Sequence, residues 1–183
     1  RYFWAYPNGC QRCTVDAERR ELLQRRNAIR EDDRMQCSLA ICSAIALDPC
    51  FDRAESIMFY MPAGSEVNLE PLMLAARRRG KQVLLPRCDK NTHVITPCVF
   101  DGRLSKGAFG MLEPAGEAAV PQIIICPMLA FNRSRYRMGY GAGCYDRLLA
   151  GSSALFFGAA FAAQEHDFTP KAHDVPLHRI FTQ

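Results

Sequence analysis

Residues 137–147 read Arg-Met-Gly-Tyr-Gly-Ala-Gly-Cys-Tyr-Asp-Arg. Glycines at every second position, Gly139, Gly141 and Gly143, carry no Cβ and open backbone conformations that other residues avoid. Peptide N–H groups between them can then turn toward one point, an arrangement suited to an anion such as a phosphate. Arg133, Arg135, Arg137 and Arg147 surround the loop, with Asp146 the one acid among them. Arg forks match phosphate oxygens in a bidentate way. Asp146-Arg147-Leu148-Leu149-Ala150 reads as the first turns of a helix whose positive end adds to the field. The spacing is neither familiar phosphate signature. A Walker loop needs Lys-Ser or Lys-Thr where Cys144-Tyr145 stands, and Cys144 occupies the place of a Rossmann fingerprint's third glycine. On these residues alone, an anion cradle and a plain surface turn both remain open.

Such a loop needs a framework, and the rest of the chain supplies an alternation of helices and strands. The pattern is helical from Ala17 to Leu47, with Leu22 and Ile29 on one repeat and Met35, Leu39, Cys42 and Ala46 on the next. Glu31-Asp32-Asp33 predicts a break and a fresh N-terminus, because acids favour a first turn. Ser56 to Met61 reads as a buried strand ended by Pro62-Ala-Gly64. Asn68 can cap a helix with an inner stripe of Leu69, Leu72, Met73 and Ala76, ending at Gly80. With the strand Gln82 to Pro86, residues 56–86 form a strand–helix–strand unit of parallel type. His93 to Phe100, Ala154 to Ala160 and Arg179 to Thr182 read as further strands. Gln122 to Cys126 is the most apolar and is expected at the centre.

This alternation predicts an α/β domain with helices on both faces of the sheet. Ligands in such sheets sit beyond the carboxyl ends of the strands. The loops after 56–61 and 122–126 would both open there, which brings Glu66 close to the glycine loop.

A chain of 183 residues with 49% hydrophobic and 23% charged residues fits one globular domain. A net charge of +4 agrees with a small anionic ligand. It is too mild and too scattered to indicate nucleic acid. Nine cysteines are an odd number, and several lie in apolar runs, which suits reduced thiols in a cytoplasmic protein better than a disulfide framework. Cys10-Gln-Arg-Cys13 has CxxC spacing but no second pair to complete a zinc site. Residues 1–16 are expected to form a flexible N-terminal arm without the succession of a signal peptide. No apolar run reaches the roughly 18 residues of a membrane span.

Several segments together resemble the 5-formyltetrahydrofolate cyclo-ligase (methenyltetrahydrofolate synthetase) family. Arg137 to Arg147 is similar to its Arg-Leu-Gly-x-Gly-x-Gly-Tyr-Tyr-Asp-Arg segment. Ile125 to Phe131, Gly107 to Pro114, Tyr60 to Glu66 and His173 to Thr182 resemble further family stretches in the same order. Arg26-Asn-Ala-Ile-Arg30 lies where the family has Lys-x-x-Leu-Arg. The likeness covers residues 17–183.

The resemblance implies a single-domain, three-layer α/β/α fold with a mostly parallel central sheet. It also implies ATP- and Mg²⁺-dependent closure of 5-formyltetrahydrofolate to 5,10-methenyltetrahydrofolate, with ADP and phosphate released. Carried over residue by residue, Arg26, Arg30, Arg137, Gly139, Tyr140, Gly141, Ala142, Gly143, Cys144 and Tyr145 are expected to bind ATP. Met61, Glu66 and Phe109 are expected on the folate side, together with Tyr140, Gly141, Ala142, Gly143 and Cys144. Asp146 and Asp174 match the Mg²⁺ carboxylates. A monomer acting on ATP and a reduced folate, without nucleic acid or membrane, is the expectation.

Four positions depart from the family's pattern. Arg26 replaces Lys, Cys144 replaces the first Tyr of the pair, Asn132 replaces Asp, and Arg135 replaces Gly. They leave room for a paralogue that binds nucleotide or folate without turnover.

Overall fold

A computed structural model describes residues 17–107 and 110–183. The expected break in the first helical stretch is present. Helix α1 spans Ala17–Asn27 and α2 spans Glu31–Ala46, with Glu31, Asp32 and Asp33 in its first turn. The inner stripe of α2 differs from the expectation. Ser38, Ile41, Cys42 and Ile45 are buried, whereas Met35 and Leu39 are exposed. A polar residue accounts for the difference: the Ser38 hydroxyl accepts from the Asn68 amide (3.0 Å), so it faces inward despite breaking the apolar pattern. A short helix unforeseen in the sequence, α3 (Pro49–Arg53), starts where Asp48 Oδ1 accepts from the Cys50 and Phe51 amides.

Strand β1 (Ser56–Met58), helix α4 (Glu70–Arg78) and strand β2 (Gln82–Cys88) form the expected parallel unit. Asn68 acts one residue ahead of the helix boundary, its Oδ1 accepting from the Glu70 amide (3.0 Å). Strand β3 (Ile95–Val99) returns antiparallel to β2. Strands β4 (Leu104–Lys106) and β5 (Leu112–Pro114) make a separate hairpin. Next come β6 (Ile123–Cys126), the two-residue ladder of β7 (Ala130–Phe131) with β8 (Arg137–Met138), and helix α5 (Cys144–Ala150). Strands β9 (Leu155–Ala160) and β10 (Arg179–Thr182) complete the main sheet. Its order is β10-β9-β6-β1-β2-β3, parallel throughout except at β3.

Strand side chains alternate between two cores, as a period of two requires. Ile57, Val83, Leu85, Ile123, Ile125 and Phe157 pack with Ile41 and Ile45 of α2, Phe51 of α3 and Leu72 and Met73 of α4. Met58, Leu84, Ile124, Cys126 and Phe156 face the other way, against Leu149 of α5. The fold is therefore three-layered, with β6 inside the sheet and all four of its residues buried. Helix α1 sits apart, Leu22 packing on Leu129, Ala130 and Met138 around the β7–β8 hairpin. Among the described residues no helix is long and apolar enough to cross a membrane.

Two of the departures are explained by that hairpin. Asn132 Oδ1 accepts from the Tyr136 amide (3.0 Å), and its Nδ2 donates to Phe168 O (3.2 Å). A carboxylate has no hydrogen for the second bond, so the amide serves here as a loop tie. Arg135 holds φ at +65°, a left-handed conformation that glycine adopts freely. Its Nη1 donates to His178 O (3.0 Å) and its carbonyl accepts from the Leu177 amide (2.8 Å). Arg135→Gly relieves the strain but loses the exposed side-chain bond. The two effects oppose, so chemical denaturation is expected to show an unfolding free energy within about 1 kcal/mol of the parent.

Candidate active site

The crossovers run to opposite sides from the parallel neighbours β1 and β6. From β1 the chain crosses to β2 on one side, and from β6 to β9 on the other. The crevice beyond the carboxyl ends of these two neighbours is the switch point, where open α/β sheets bind ligands. The loop after β1 carries Met61 and Glu66, and the loop after β6 leads through the hairpin to residues 139–143.

The two loops meet through side chains. Tyr140 Oη donates to Glu66 Oε1 at 2.6 Å and accepts from Arg26 Nη2 at 2.9 Å. Arg26 also donates to Ser65 Oγ (2.9 Å) and Met128 O (3.2 Å), and its Nη1 lies 3.9 Å from Glu66 Oε1. The Arg26 and Glu66 side chains are only 2% and 6% exposed. Burial pushes the Glu66 carboxyl above its ordinary value, although Arg26, Tyr140 and the Ala63 amide on Oε2 (3.0 Å) all pull it down. Burial and the Glu66 charge push the Tyr140 hydroxyl up in turn. Each Glu66 oxygen keeps a further lone-pair direction for a ligand donor.

The glycine loop has the conformation its sequence calls for. Gly141 and Gly143 take φ of +99° and +66°. Its carbonyls are held from outside: Arg19 Nε donates to Gly139 O (3.0 Å) and Arg147 Nη2 to Ala142 O (2.8 Å). Among the described residues, no amide from Gly139 to Gly143 donates to a protein acceptor. Behind the loop, Arg137 is buried and donates through Nη2 to Asp146 Oδ1 at 2.7 Å. Its Nη1 is buried with no partner among the described residues, a costly state unless an acceptor arrives. Tyr145 lies beneath the Arg137 guanidinium, 5.9 Å from ring centre to Cζ.

The structure does not bring every expected residue into this cluster. Arg30 is exposed and faces Asp32 at 3.8 Å, because helix α1 ends at Asn27 and Arg30 becomes the N-cap of α2. Arg26 does enter, but its three nitrogens are all engaged within the protein. Met61 is half-buried against the α2–α4 core. Phe109, the Cys10–Cys13 pair and the arm of residues 1–16 lie outside the described residues. Asp174 is part-buried, with Oδ2 accepting from the Lys171 amide (2.8 Å). Arg19 was missed, although it lies seven residues before Arg26 and so on the same helical face, a signal legible in the sequence.

Among the described residues no group of three or more His, Cys, Asp or Glu is arranged to hold a metal. The available donors, Asp146 Oδ2 and Asp174, are hard carboxylate oxygens. They suit an ion that takes the rest of its shell from phosphate oxygens and water, as Mg²⁺ does.

Comparison with known proteins follows the same lines. A Schizosaccharomyces pombe protein named "Probable 5-formyltetrahydrofolate cyclo-ligase" is 30% identical over 124 residues, which cover 62% of this chain and 60% of that relative's length. The 5-formyltetrahydrofolate cyclo-ligase of Mycolicibacterium smegmatis is 29% identical over 144 residues, covering 69% of this chain and 73% of the relative. The solved structure of Aquifex aeolicus 5,10-methenyltetrahydrofolate synthetase superposes with a TM-score of 0.78 at 30% identity, over 90% of this chain and 87% of that one. A sequence model of the 5-formyltetrahydrofolate cyclo-ligase family matches residues 14–183. By fold, by motif order and by that match, the chain belongs to the 5-formyltetrahydrofolate cyclo-ligase family of enzymes.

Proposed function

We propose that this chain converts 5-formyltetrahydrofolate to 5,10-methenyltetrahydrofolate, with ATP cleaved to ADP and phosphate. The observation that carries the reading is the Tyr140–Glu66 hydrogen bond. It joins a loop of unpaired amides to a buried carboxylate across the sheet's switch point. One half suits a triphosphate and the other suits the amino and ring N–H groups of a pterin.

A formamide oxygen is a poor leaving group. In the proposed sequence it attacks the γ-phosphorus of ATP and ADP departs. N10 of the folate then attacks the formyl carbon, phosphate leaves with the former formyl oxygen, and the N10 proton goes to solvent. Phosphoryl transfer asks the protein chiefly for alignment and charge neutralisation. The amides of residues 139–143, with Cys144 and Tyr145 beside them, would cradle the phosphates. Arg137 would give its unpartnered Nη1 to a phosphoryl oxygen. Arg26 would act by fixing Glu66 and Tyr140, and Arg30 would have to leave Asp32 to reach the nucleotide. Met61 and Phe109 would border the folate. Asp146 and Asp174 would hold Mg²⁺, which neutralises phosphate charge when bound. The described cysteines are all free thiols, in keeping with a cytoplasmic site.

Substrate labelled with ¹⁸O at the formyl group tests the sequence of steps. The label is expected in the released phosphate. Label recovered in water instead would overturn phosphorylation of that oxygen. The glycine loop gives a second test. A Cβ on Gly141 meets only ordinary contact with Arg19 (3.8 Å), so space is not limiting, but φ of +99° strains any L side chain. Gly141→Ala is expected to cost about 1–3 kcal/mol in the loop's active shape. Calorimetry should show ATP-analogue binding weakened about 10-fold, with folate binding little changed.

A further inference from the structure

Arg147 is one of the four arginines that surround the glycine loop, but its guanidinium is spent on backbone carbonyls. Nη2 donates to Ala142 O (2.8 Å) and to His93 O in the β2–β3 turn (3.4 Å). Nη1 lies against Gly143, where a Cβ would come within 3.3 Å of it. Glycine at 143 therefore meets two demands, a φ of +66° and room for this side chain. The Cys144 thiol, 4.0 Å from Ala142 O, is too weak a donor to replace the guanidinium.

The bond to Ala142 O fixes more than a carbonyl. A trans peptide is planar, with its C=O and N–H pointing in opposite directions. Holding Ala142 O toward Arg147 therefore aims the Gly143 N–H away from Arg147, and that N–H has no protein acceptor among the described residues. Gly141 and Gly143 flank Ala142 at positive φ, so without the bond this peptide would rotate at little cost. The other end of the contact is stiff. Asp89 Oδ1 accepts from the Asn91 amide (2.9 Å), the Thr92 amide (2.7 Å) and the Thr92 hydroxyl (2.9 Å), which closes the β2–β3 turn. The His93 amide donates back to Asp89 O (3.0 Å), and His93, at φ of +57°, presents its own carbonyl to Arg147.

We propose that Arg147 is a positioning residue, which locks the Ala142–Gly143 peptide to the β2–β3 turn so that the Gly143 N–H is held toward the phosphates of the nucleotide. Arg147 acts through that peptide and touches no phosphate itself. Its charge-matching role in the sequence passes to Arg137, whose Nη1 is buried without a partner among the described residues. The lock stands on the hydrogen bonds of the free protein, whereas its use by a nucleotide rests on the proposed function.

The test compares the full chain with Arg147→Met, Arg147→Lys and Asp89→Ala. In the free protein the ¹³C resonance of the Ala142 carbonyl is expected to move upfield in Arg147→Met, as a carbonyl does on losing a donor. It should stay nearer the parent in Arg147→Lys, which keeps a donor. Calorimetry with the β,γ-imido analogue of ATP is expected to show binding about 5–10-fold weaker in Arg147→Met and partly restored in Arg147→Lys. Steady-state rates should place the same loss in KM for ATP, with kcat little changed. Asp89→Ala removes a negative charge, which alone would favour an anion. It is nevertheless expected to weaken the analogue about 2–3-fold through the loosened turn, and to add nothing in the Arg147→Met background. An unmoved Ala142 carbonyl in Arg147→Met would overturn the proposal, as would additive losses in the double variant or a fall in kcat that follows the unfolded fraction with KM unchanged. A moved carbonyl in a protein that never binds the analogue would uphold the lock and refute the proposed function instead.

Discussion

Glu66→Gln is expected to lower kcat/KM for 5-formyltetrahydrofolate by about 100-fold or more. The amide keeps the size of the carboxyl but presents one oxygen where there were two and adds donors of its own. Pterin N–H groups that the carboxylate accepts would then meet a weaker acceptor or a competing donor. Each charged hydrogen bond lost is worth about 1.5–3 kcal/mol, so two account for the size of the effect. The variant also separates the two halves of the site, because ATP-analogue binding should change far less than folate binding. A pH profile adds a sign. Burial holds the Glu66 carboxyl above the ordinary carboxylate value in the free protein. Folate recognition needs it ionised, so kcat/KM for the folate is expected to rise with pH through a window just above that value. The rising limb should vanish in Glu66→Gln. A variant that retained parent kcat/KM and the same limb would remove Glu66 from the folate side.

Arg137→Met is expected to lower kcat by about 10²–10³-fold. The guanidinium is buried against Asp146, with Nη2 spent on that carboxylate and Nη1 without an acceptor among the described residues. A group kept in that state is poised for a charge that arrives later, and the γ-phosphoryl oxygens supply one. Methionine fills the space without the charge, and it leaves Asp146, still one-quarter exposed, to solvent. Folate affinity should be nearly unchanged, since Arg137 has no contact with Glu66 or Arg26. Thermal unfolding of the same variant separates a folding defect from a catalytic one. A fall in kcat that merely tracks the unfolded fraction would assign Arg137 to structure alone.

Much of this architecture was legible because it follows from short-range rules. Ile57, Met58 and Phe59, or Ile123 to Cys126, are apolar throughout, as a strand covered on both faces must be. The alternating glycines announced a loop of unusual φ, and the crossovers placed Glu66 beside it before any contact was known. What escaped depends on tertiary context. Two- and three-residue ladders such as β7–β8 and β4–β5 are too short for a periodic signal. The buried Ser38 hides the inner face of α2, because a hydroxyl inside a core makes sense only once its partner at Asn68 is known. The family resemblance groups Arg30 with Arg26, but the chain turns at Asn27 and carries it away. Arg19, on the same face as Arg26, takes the place beside the glycine loop.

The most direct measurement combines enzyme, ATP, Mg²⁺ and 5-formyltetrahydrofolate and follows the near-ultraviolet absorbance of the methenyl product together with ADP. The account predicts growth of both in equal amounts, dependent on ATP and slowed about 10²–10³-fold in Arg137→Met. No absorbance change at high enzyme concentration, with ATP still bound, would contradict it and leave a nucleotide-binding relative that does not turn over.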